Sequence, residues 1–122
     1  MIVVLDSSAV LAFLLGEAGA DRVSVALEGE PCCSAANWSE VAQRMLVGGH
    51  DLGLVRSLMA GYGLRVEPVT VEDAEWAARR WRRGEGLSLA DRLCMALAER
   101  LDTHVLTADT AWGAAGRVRQ IR

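Results

Sequence analysis

The stretch Ile2-Val3-Val4-Leu5-Asp6 decides how this chain folds. Four apolar residues in a row predict a strand that is buried on both faces, which is the pattern of a parallel sheet covered by helices. Asp6 follows directly, so its carboxylate is expected at the carboxyl edge of that sheet. Open parallel sheets bind their ligands at this edge. The stretch therefore predicts a fold class and also the position of a first functional acid.

Strand-like and helical segments alternate along the rest of the chain. Further strands are predicted at 31–33, 65–69, 104–107 and 117–121. Helices are predicted at 7–14, 18–28, 37–47, 51–62, 71–83 and 88–101, with a short one near 110–115. The last long helix carries a leucine stripe at positions 89, 93, 97 and 101. This alternation predicts an α/β fold, a three-layer α/β/α sandwich around a mostly parallel sheet, in one domain spanning residues 1–122.

Four acidic residues, Asp6, Glu40, Asp91 and Asp109, stand where a predicted strand ends or a predicted helix begins. In a parallel sheet these positions meet in one crevice, so the four carboxylates are expected to lie close together. Clustered carboxylates repel each other unless a cation joins them. Hard oxygen donors without sulfur select Mg²⁺ or Mn²⁺, and such a site is typical of phosphate chemistry.

Each acid also has a purely local explanation. Residues 37–40 and 88–91 both have the spacing of a capping box, and Asp6 and Asp109 can cap the helices that follow them. The two roles are compatible, because the backbone dipole at a helix N-terminus stabilises an ionised carboxylate. The prediction of a metal site therefore rests on the conjunction of four acids and not on any one of them.

The acids lie in four segments that span nearly the whole chain. They are Val3-Val4-Leu5-Asp6-Ser7-Ser8-Ala9, Ser39-Glu40-Val41, Gly86-Leu87-Ser88-Leu89-Ala90-Asp91-Arg92-Leu93 and Leu106-Thr107-Ala108-Asp109. In this order and spacing the chain resembles the PIN-domain family, and most closely the VapC-type toxin ribonucleases. The segments around 88–91 and 107–109 are the most specific parts of the resemblance.

The resemblance implies a metal-dependent endoribonuclease that acts on RNA and is the toxin of a toxin–antitoxin pair, with a cognate antitoxin as partner. It implies a catalytic site formed by Asp6, Glu40, Asp91 and Asp109. The three aspartates would hold one or two Mg²⁺ or Mn²⁺ ions, and Glu40 would complete the shell directly or through water. The alternative function is a catalytically inactive PIN-like module that binds RNA or a protein.

Ser7, Thr107 and Arg92 are secondary candidates. The two hydroxyls can orient carboxylates or phosphate, although local turn chemistry explains them equally well. Arg92 follows Asp91 directly and is a candidate for a phosphate contact. The run from Trp76 to Arg83 combines aromatic and basic residues, as single-strand binders do. Its alternative is a helix that buries Trp76 while its arginines face water.

Charge and composition exclude several classes of protein. The net charge is −3, so binding of phosphate has to come from local patches or from metal. All 13 basic residues are arginines. The absence of lysine counts against receiver domains and haloacid-dehalogenase-type phosphatases, which depend on one. A P-loop is excluded because the chain has no Gly-Lys-Ser/Thr sequence.

The remaining composition bears on partners and location. Hydrophobic residues make up 52% of the chain and the mean hydropathy is +0.20, so part of the apolar surface is expected in an interface, and a homodimer is predicted. The three cysteines, Cys32, Cys33 and Cys94, predict reduced thiols in a cytoplasmic protein and no disulfide framework. No segment reaches the roughly 18 apolar residues of a membrane span, so no membrane association is expected.

Overall fold

The strand that opens the chain lies at the centre of the sheet. The computed structural model describes all residues, Met1–Arg122. The strands are β1 (Ile2–Leu5), β2 (Glu30–Ser34), β3 (Arg65–Glu67), β4 (Val105–Thr107) and β5 (Val118–Gln120), in the sheet order β3-β2-β1-β4-β5. All pairings are parallel, so every strand ends at the same edge of the sheet. The predicted α/β sandwich with a parallel sheet is confirmed.

Six helices cover the two faces of this sheet. Their bounds are α1 (Ser7–Leu15), α2 (Ala20–Leu27), α3 (Ala35–Val47), α4 (Leu52–Gly61), α5 (Val71–Arg80) and α6 (Leu89–Arg100). The first four lie on one face, while α6 lies on the other and α5 packs against α6. None of the helices combines the length and the apolar character that a membrane crossing needs.

β1 separates two hydrophobic cores. Val3 and Leu5 pack with side chains of α1 to α4, whereas Val4 packs on the opposite face with Cys94 and Leu97 of α6. Successive strand residues point to opposite faces, so a strand with a core on each side needs an unbroken apolar run. This requirement explains why residues 2–5 predict the fold well. It also means that the first polar residue after the strand, Asp6, lies at the carboxyl edge of the sheet, between the two helical layers.

The helix that carries Glu40 begins earlier than the sequence predicts. It starts immediately after Ser34, whose hydroxyl accepts a hydrogen bond from the backbone N–H of Ala36 at 3.2 Å. Asn37 therefore lies inside the first turn and does not cap the helix. The capping box predicted at 37–40 is wrong, because a hydroxyl three positions earlier already caps this helix.

The connection between α5 and α6 is longer than predicted. α5 ends at Arg80 and not near residue 83, because Trp81 leaves the helical conformation with ψ 135°. Residues 81–88 then form a loop to the start of α6. Leu89 is 58% exposed, so the buried part of the predicted leucine stripe consists of Leu93 and Leu97.

α5 and α6 begin with the same motif. In each, the hydroxyl of the cap residue accepts a hydrogen bond from an aspartate N–H, and the aspartate carboxylate accepts one from the cap residue's N–H. The pairs are Thr70 with Asp73 and Ser88 with Asp91. The two aspartates therefore have the same local role. Asp73 has a further partner, because Arg100 Nε and Nη2 donate to its oxygens at 3.0 and 3.1 Å.

This ion pair makes ionised Asp73 favourable for folding. The residue is 4% exposed, and burial acting alone would raise the pKa of its carboxyl. Hydrogen bonds from Arg100 and the Thr70 N–H, together with the charge of Arg100, lower the pKa below its ordinary value. The pair ties the start of α5 to the end of α6 and stabilises the folded protein.

We expect Asp73→Asn to lower the free energy of unfolding by about 2 kcal/mol at neutral pH, because it removes a charge-assisted pair. The folded-state pKa is lowered, so this stabilisation is present above the ordinary aspartate pKa of about 3.9 and is lost as the pH falls through the folded value. Urea unfolding of both proteins at several pH values measures the difference in their free energies of unfolding. This difference should be largest at about pH 7 and should approach zero towards about pH 2. A difference that does not change with pH would contradict the role of the ion pair.

Candidate active site

The four acids predicted from the sequence lie along the carboxyl edge of the sheet. Asp6 ends β1 and is 3% exposed, and Asp109 follows β4 and is exposed. Asp91 reaches this edge from the first turn of α6 and Glu40 from the second turn of α3, and both are half-buried. The acids thus come from both helical layers and from the two neighbouring central strands.

Asp91 interacts electrostatically with each of the other three acids. Burial raises the pKa of Asp91, and the charges of Glu40 and Asp109 raise it further, whereas the capping hydrogen bonds of Ser88 lower it. The charge of Asp91 also contributes to the raised pKa of Asp6. Asp91 therefore occupies the electrostatic centre of the set, and its ionised form is disfavoured in the folded protein.

Asp6 is held by two hydroxyls and a backbone N–H. The Ser8 hydroxyl and the Ala9 N–H donate to Oδ1 at 2.7 and 2.9 Å, and the Thr107 hydroxyl donates to Oδ2 at 2.5 Å. Burial raises the pKa of Asp6 to about 6, since these hydrogen bonds lower it only in part. Both oxygens are fixed in place, yet the carboxylate has no cationic partner in the protein.

The same two hydroxyls join the ends of β1 and β4. Ser8 Oγ accepts a hydrogen bond from the Ala108 N–H at 2.8 Å, and Thr107 Oγ1 accepts one from the Asp109 N–H at 3.0 Å. The two hydroxyl oxygens are 3.2 Å apart. We call this arrangement the hydroxyl bridge.

Thr107 makes a contact of the predicted kind, but the serine that orients Asp6 is Ser8 and not the predicted Ser7. Ser7 makes no side-chain hydrogen bond and lies beside Glu40 and Gln43 in an open depression. Two adjacent serines at the start of a helix point about 100° apart, so only the rotation of α1 separates them. The spacing of Ser8 two residues after Asp6 was the available signal.

Glu40 is oriented by a residue that the sequence analysis treated only as a cap. The side-chain amide of Asn37 donates to Glu40 Oε1 at 3.0 Å. Asn37 is 1% exposed, and its Oδ1 has no hydrogen-bond partner. Residues three apart lie on one face of a helix, so this contact follows once α3 begins before Asn37.

Arg92 does not neutralise the acids. Its Nη1 donates to the carbonyl oxygen of Ala77 at 2.7 Å, and its buried Nε has no partner. The side chain therefore runs from α6 to α5, away from the neighbouring carboxylate of Asp91. A phosphate contact of the predicted kind would require this guanidinium to leave Ala77.

Three of the carboxylates each keep one oxygen without a protein donor. These oxygens are Asp91 Oδ1, Asp109 Oδ2 and Glu40 Oε2, because hydrogen bonds occupy only the other oxygen of each pair. No three His, Cys, Asp or Glu side chains lie close enough together to hold one metal ion between them. Mg²⁺ is commonly bound through one or two carboxylates and several waters, so free hard oxygens of this kind fit such a cation.

Comparison with known sequences gives a consistent family. The PIN domain family profile matches residues 3–118. The chain is 36% identical to a VapC ribonuclease of Mycobacterium bovis, in a match that covers 79% of this chain and 82% of that protein. The ribonuclease VapC42 of Mycobacterium tuberculosis is equally similar, at 36% identity with the same coverage.

Two solved structures share the fold. A chain of a toxin–antitoxin complex from Klebsiella pneumoniae has a TM-score of 0.80 and 18% identity, with 98% of both chains covered. VapC20 of Mycobacterium tuberculosis, a sarcin–ricin loop cleaving toxin, has a TM-score of 0.76 and 20% identity, with 95% of this chain and 96% of that chain covered. At these identities the structures show the fold alone. The profile match and the identity to the VapC ribonucleases show more: this chain belongs to the PIN-domain family.

Proposed function

We propose that this protein is the toxin of a toxin–antitoxin pair and a ribonuclease that hydrolyses RNA phosphodiester bonds with Mg²⁺ or Mn²⁺. The observation that carries the proposal is the contrast between the capping aspartates Asp73 and Asp91. Their local roles are the same, yet the pKa of Asp73 is lowered, and burial and neighbouring acids raise the pKa of Asp91. A helix cap does not require such surroundings, whereas a cation site does. PIN-domain ribonucleases are generally dependent on a divalent metal.

The proposed division of roles follows from how each acid is held. Asp6 is the rigid member, because hydrogen bonds fix both of its oxygens. Asp91 and Asp109 each offer one free oxygen, and we assign the three aspartates to one or two cations, with water molecules as the remaining ligands. Glu40 completes the shell directly or through water, with Asn37 setting its orientation.

The chemistry is hydrolysis of a phosphodiester. A divalent cation, when bound, supplies positive charge that stabilises the phosphate oxygens and makes a water molecule more acidic. Ser8 and Thr107 act as positioning residues, because they keep the Asp6 carboxylate in one orientation. No histidine lies among the acids, so the protein's own contribution is to hold and orient the carboxylates.

We expect the purified protein to cleave mixed RNA in Mg²⁺ or Mn²⁺ and to stop in EDTA. Asp91→Asn should lower the cleavage rate by more than about a hundredfold, because it removes the central carboxylate of the set. Gel analysis of labelled RNA measures both effects. The matched control is Asp73→Asn, which makes the same chemical change at the same capping position and should still cleave. Cleavage by Asp91→Asn at the wild-type rate would refute the site assignment.

The same two variants should differ in thermal stability, because the two aspartates have different surroundings. In Asp91→Asn the amide oxygen can keep the capping bond to Ser88 while the central charge is lost. The raised pKa means that ionised Asp91 is disfavoured in the folded state, so this variant should melt at a higher temperature than metal-free wild type at neutral pH. Asp73→Asn should melt at a lower temperature. Differential scanning fluorimetry compares the three proteins.

Metal should also stabilise the wild type. A cation that binds only the native state contributes about 2.7 kcal/mol at a hundredfold excess over its Kd. We expect the melting temperature to rise across a Mn²⁺ titration for wild type and Asp73→Asn, and to rise much less for Asp91→Asn. A flat titration for the wild type would count against a shared cation site.

An exposed apolar stripe supports a protein partner. Leu54 and Leu58 of α4 and Tyr62, which caps its C-terminus, follow each other at four-residue spacing and are 71%, 49% and 46% exposed. A contiguous stripe of large apolar side chains is typical of an interface. We propose a homodimer and a cognate antitoxin as the protein partners, and one of the structural neighbours is a toxin–antitoxin complex. An antitoxin can inhibit by inserting an arginine among the carboxylates, where a bidentate pair forms.

Expression of this chain alone should arrest the growth of a host cell, because the proposed activity destroys cellular RNA. Co-expression of the small protein encoded immediately upstream should restore growth. For the purified protein, light scattering should give twice the 13.1 kDa mass of one chain, as the proposed homodimer requires. Growth curves with wild type, Asp91→Asn and Asp73→Asn measure the effect. Arrest by Asp91→Asn as strong as that by wild type would show that toxicity does not come from this site.

A further inference from the structure

We propose that the segment from Arg79 to Ser88, the RNA-docking loop, binds single-stranded RNA beside the acids. In this assignment Trp81 stacks on an unpaired base, and Arg82 and Arg83 pair with the flanking phosphates. The inference rests on the ribonuclease function proposed above. It adds where the RNA strand binds, and it requires that the bases of this RNA strand be unpaired.

Trp81 is the most exposed of the four tryptophans in the chain. Its exposed fraction is 51%, whereas that of Trp112 is 8% and the remaining two are half-buried. The chain leaves α5 at this residue, and about half of the indole faces solvent. The guanidinium of Arg83 lies over the indole ring, 5.8 Å from its centre. In this proposal the nucleobase stacks on the opposite face of the indole, so that the ring lies between the base and the cation.

The RNA-docking loop is basic in a protein that is acidic overall. Residues 79–88 hold four arginines and one acid, whereas the whole chain has a net charge of −3. Arg80 is neutralised by Glu85 through a bidentate pair at 2.6 and 2.9 Å. Arg79, Arg82 and Arg83 remain as exposed cations, and only Arg79 forms a salt bridge, with Glu75 at 3.8 Å. This local excess of positive charge matches a phosphate backbone.

The loop is held in shape before any ligand binds. Arg82 Nη1 donates to the carbonyl oxygens of Arg79 and Trp81 at 2.8 and 2.9 Å. The ion pair of Arg80 with Glu85 closes the loop across five residues. A surface that is already ordered loses little conformational entropy on binding, so modest contacts can give useful affinity.

The position of the RNA-docking loop explains its proposed role in binding the RNA strand. The loop ends at Ser88, the cap residue of α6, and Asp91 lies in the first turn of that helix. Four carboxylates repel a phosphate backbone, so cations have to hold the strand from beside the crevice. An indole stacks only on a base whose face is free, which an unpaired strand offers and a duplex does not.

Fluorescence anisotropy with a labelled, mixed-sequence, single-stranded RNA of about 12 nucleotides tests this surface. The titration is done in EDTA, so that binding is measured without cleavage. Trp81→Ala should weaken binding about tenfold, and Trp81→Phe should retain most of the affinity, because stacking needs an aromatic face. Both variants should melt at the wild-type temperature, since the side chain is exposed.

Salt dependence tests the arginines separately. The combined Arg82→Ala and Arg83→Ala variant should lower the slope of log affinity against log salt by about 1.4, because each contact to a single strand contributes about 0.7. The matched control is Arg56→Ala, which removes an exposed arginine of α4 that has no ion pair. This control should leave affinity and slope unchanged.

The outcomes separate this proposal from the ribonuclease function. Wild-type affinity of Trp81→Ala, or equal affinity of wild type for a duplex of the same sequence, would overturn the docking surface. Loss of antitoxin binding by Trp81→Ala with RNA binding intact would also overturn it, because a protein would then occupy the loop. In Mg²⁺, a wild type that binds through Trp81 without cutting refutes the nuclease and keeps the docking surface.

Discussion

The hydroxyl bridge is the interaction on which the rest of the site depends. Ser8 and Thr107 hold the two oxygens of Asp6 and, through the Ala108 and Asp109 N–H groups, join the ends of the two central strands. A buried carboxylate without hydrogen bonds would simply become neutral. The bridge keeps this one oriented at the point where both hydrophobic cores end. It also fixes the turn from which the Asp109 side chain extends.

Around this fixed point the protein carries negative charge that its fold does not need. The ion pair of Asp73 with Arg100 shows how the same helix cap is built when stability alone matters. At Asp91 the corresponding cation is absent, and the arginine next in sequence, Arg92, donates a hydrogen bond to α5 instead. Stability given up at a defined place is typical of functional sites. The basic residues that could offset this charge lie beside the crevice, on the RNA-docking loop.

The fold and the position of the four acids at the carboxyl edge of the sheet could be predicted because they depend on local patterns. The sequence itself shows the unbroken apolar run of a strand that is buried on both faces. It also shows the acids that follow such runs. The choice between Ser7 and Ser8, the partner of Asn37 and the direction of Arg92 could not be predicted in this way. Each depends on how a helix is rotated against its neighbours, and packing sets that rotation. The end of α5 at Arg80 was missed because the arginines that follow it are good helix formers.

The pairing of β1 with β4 has a consequence for biosynthesis. The hydrogen bond between Asp6 and Thr107 joins residues 101 positions apart, so β1 leaves the ribosome long before β4. Until β4 has emerged, the nascent chain lacks Thr107 and Asp109, and the Oδ2 atom of Asp6 has no hydroxyl donor. The set of acids is therefore completed only after translation has passed β4.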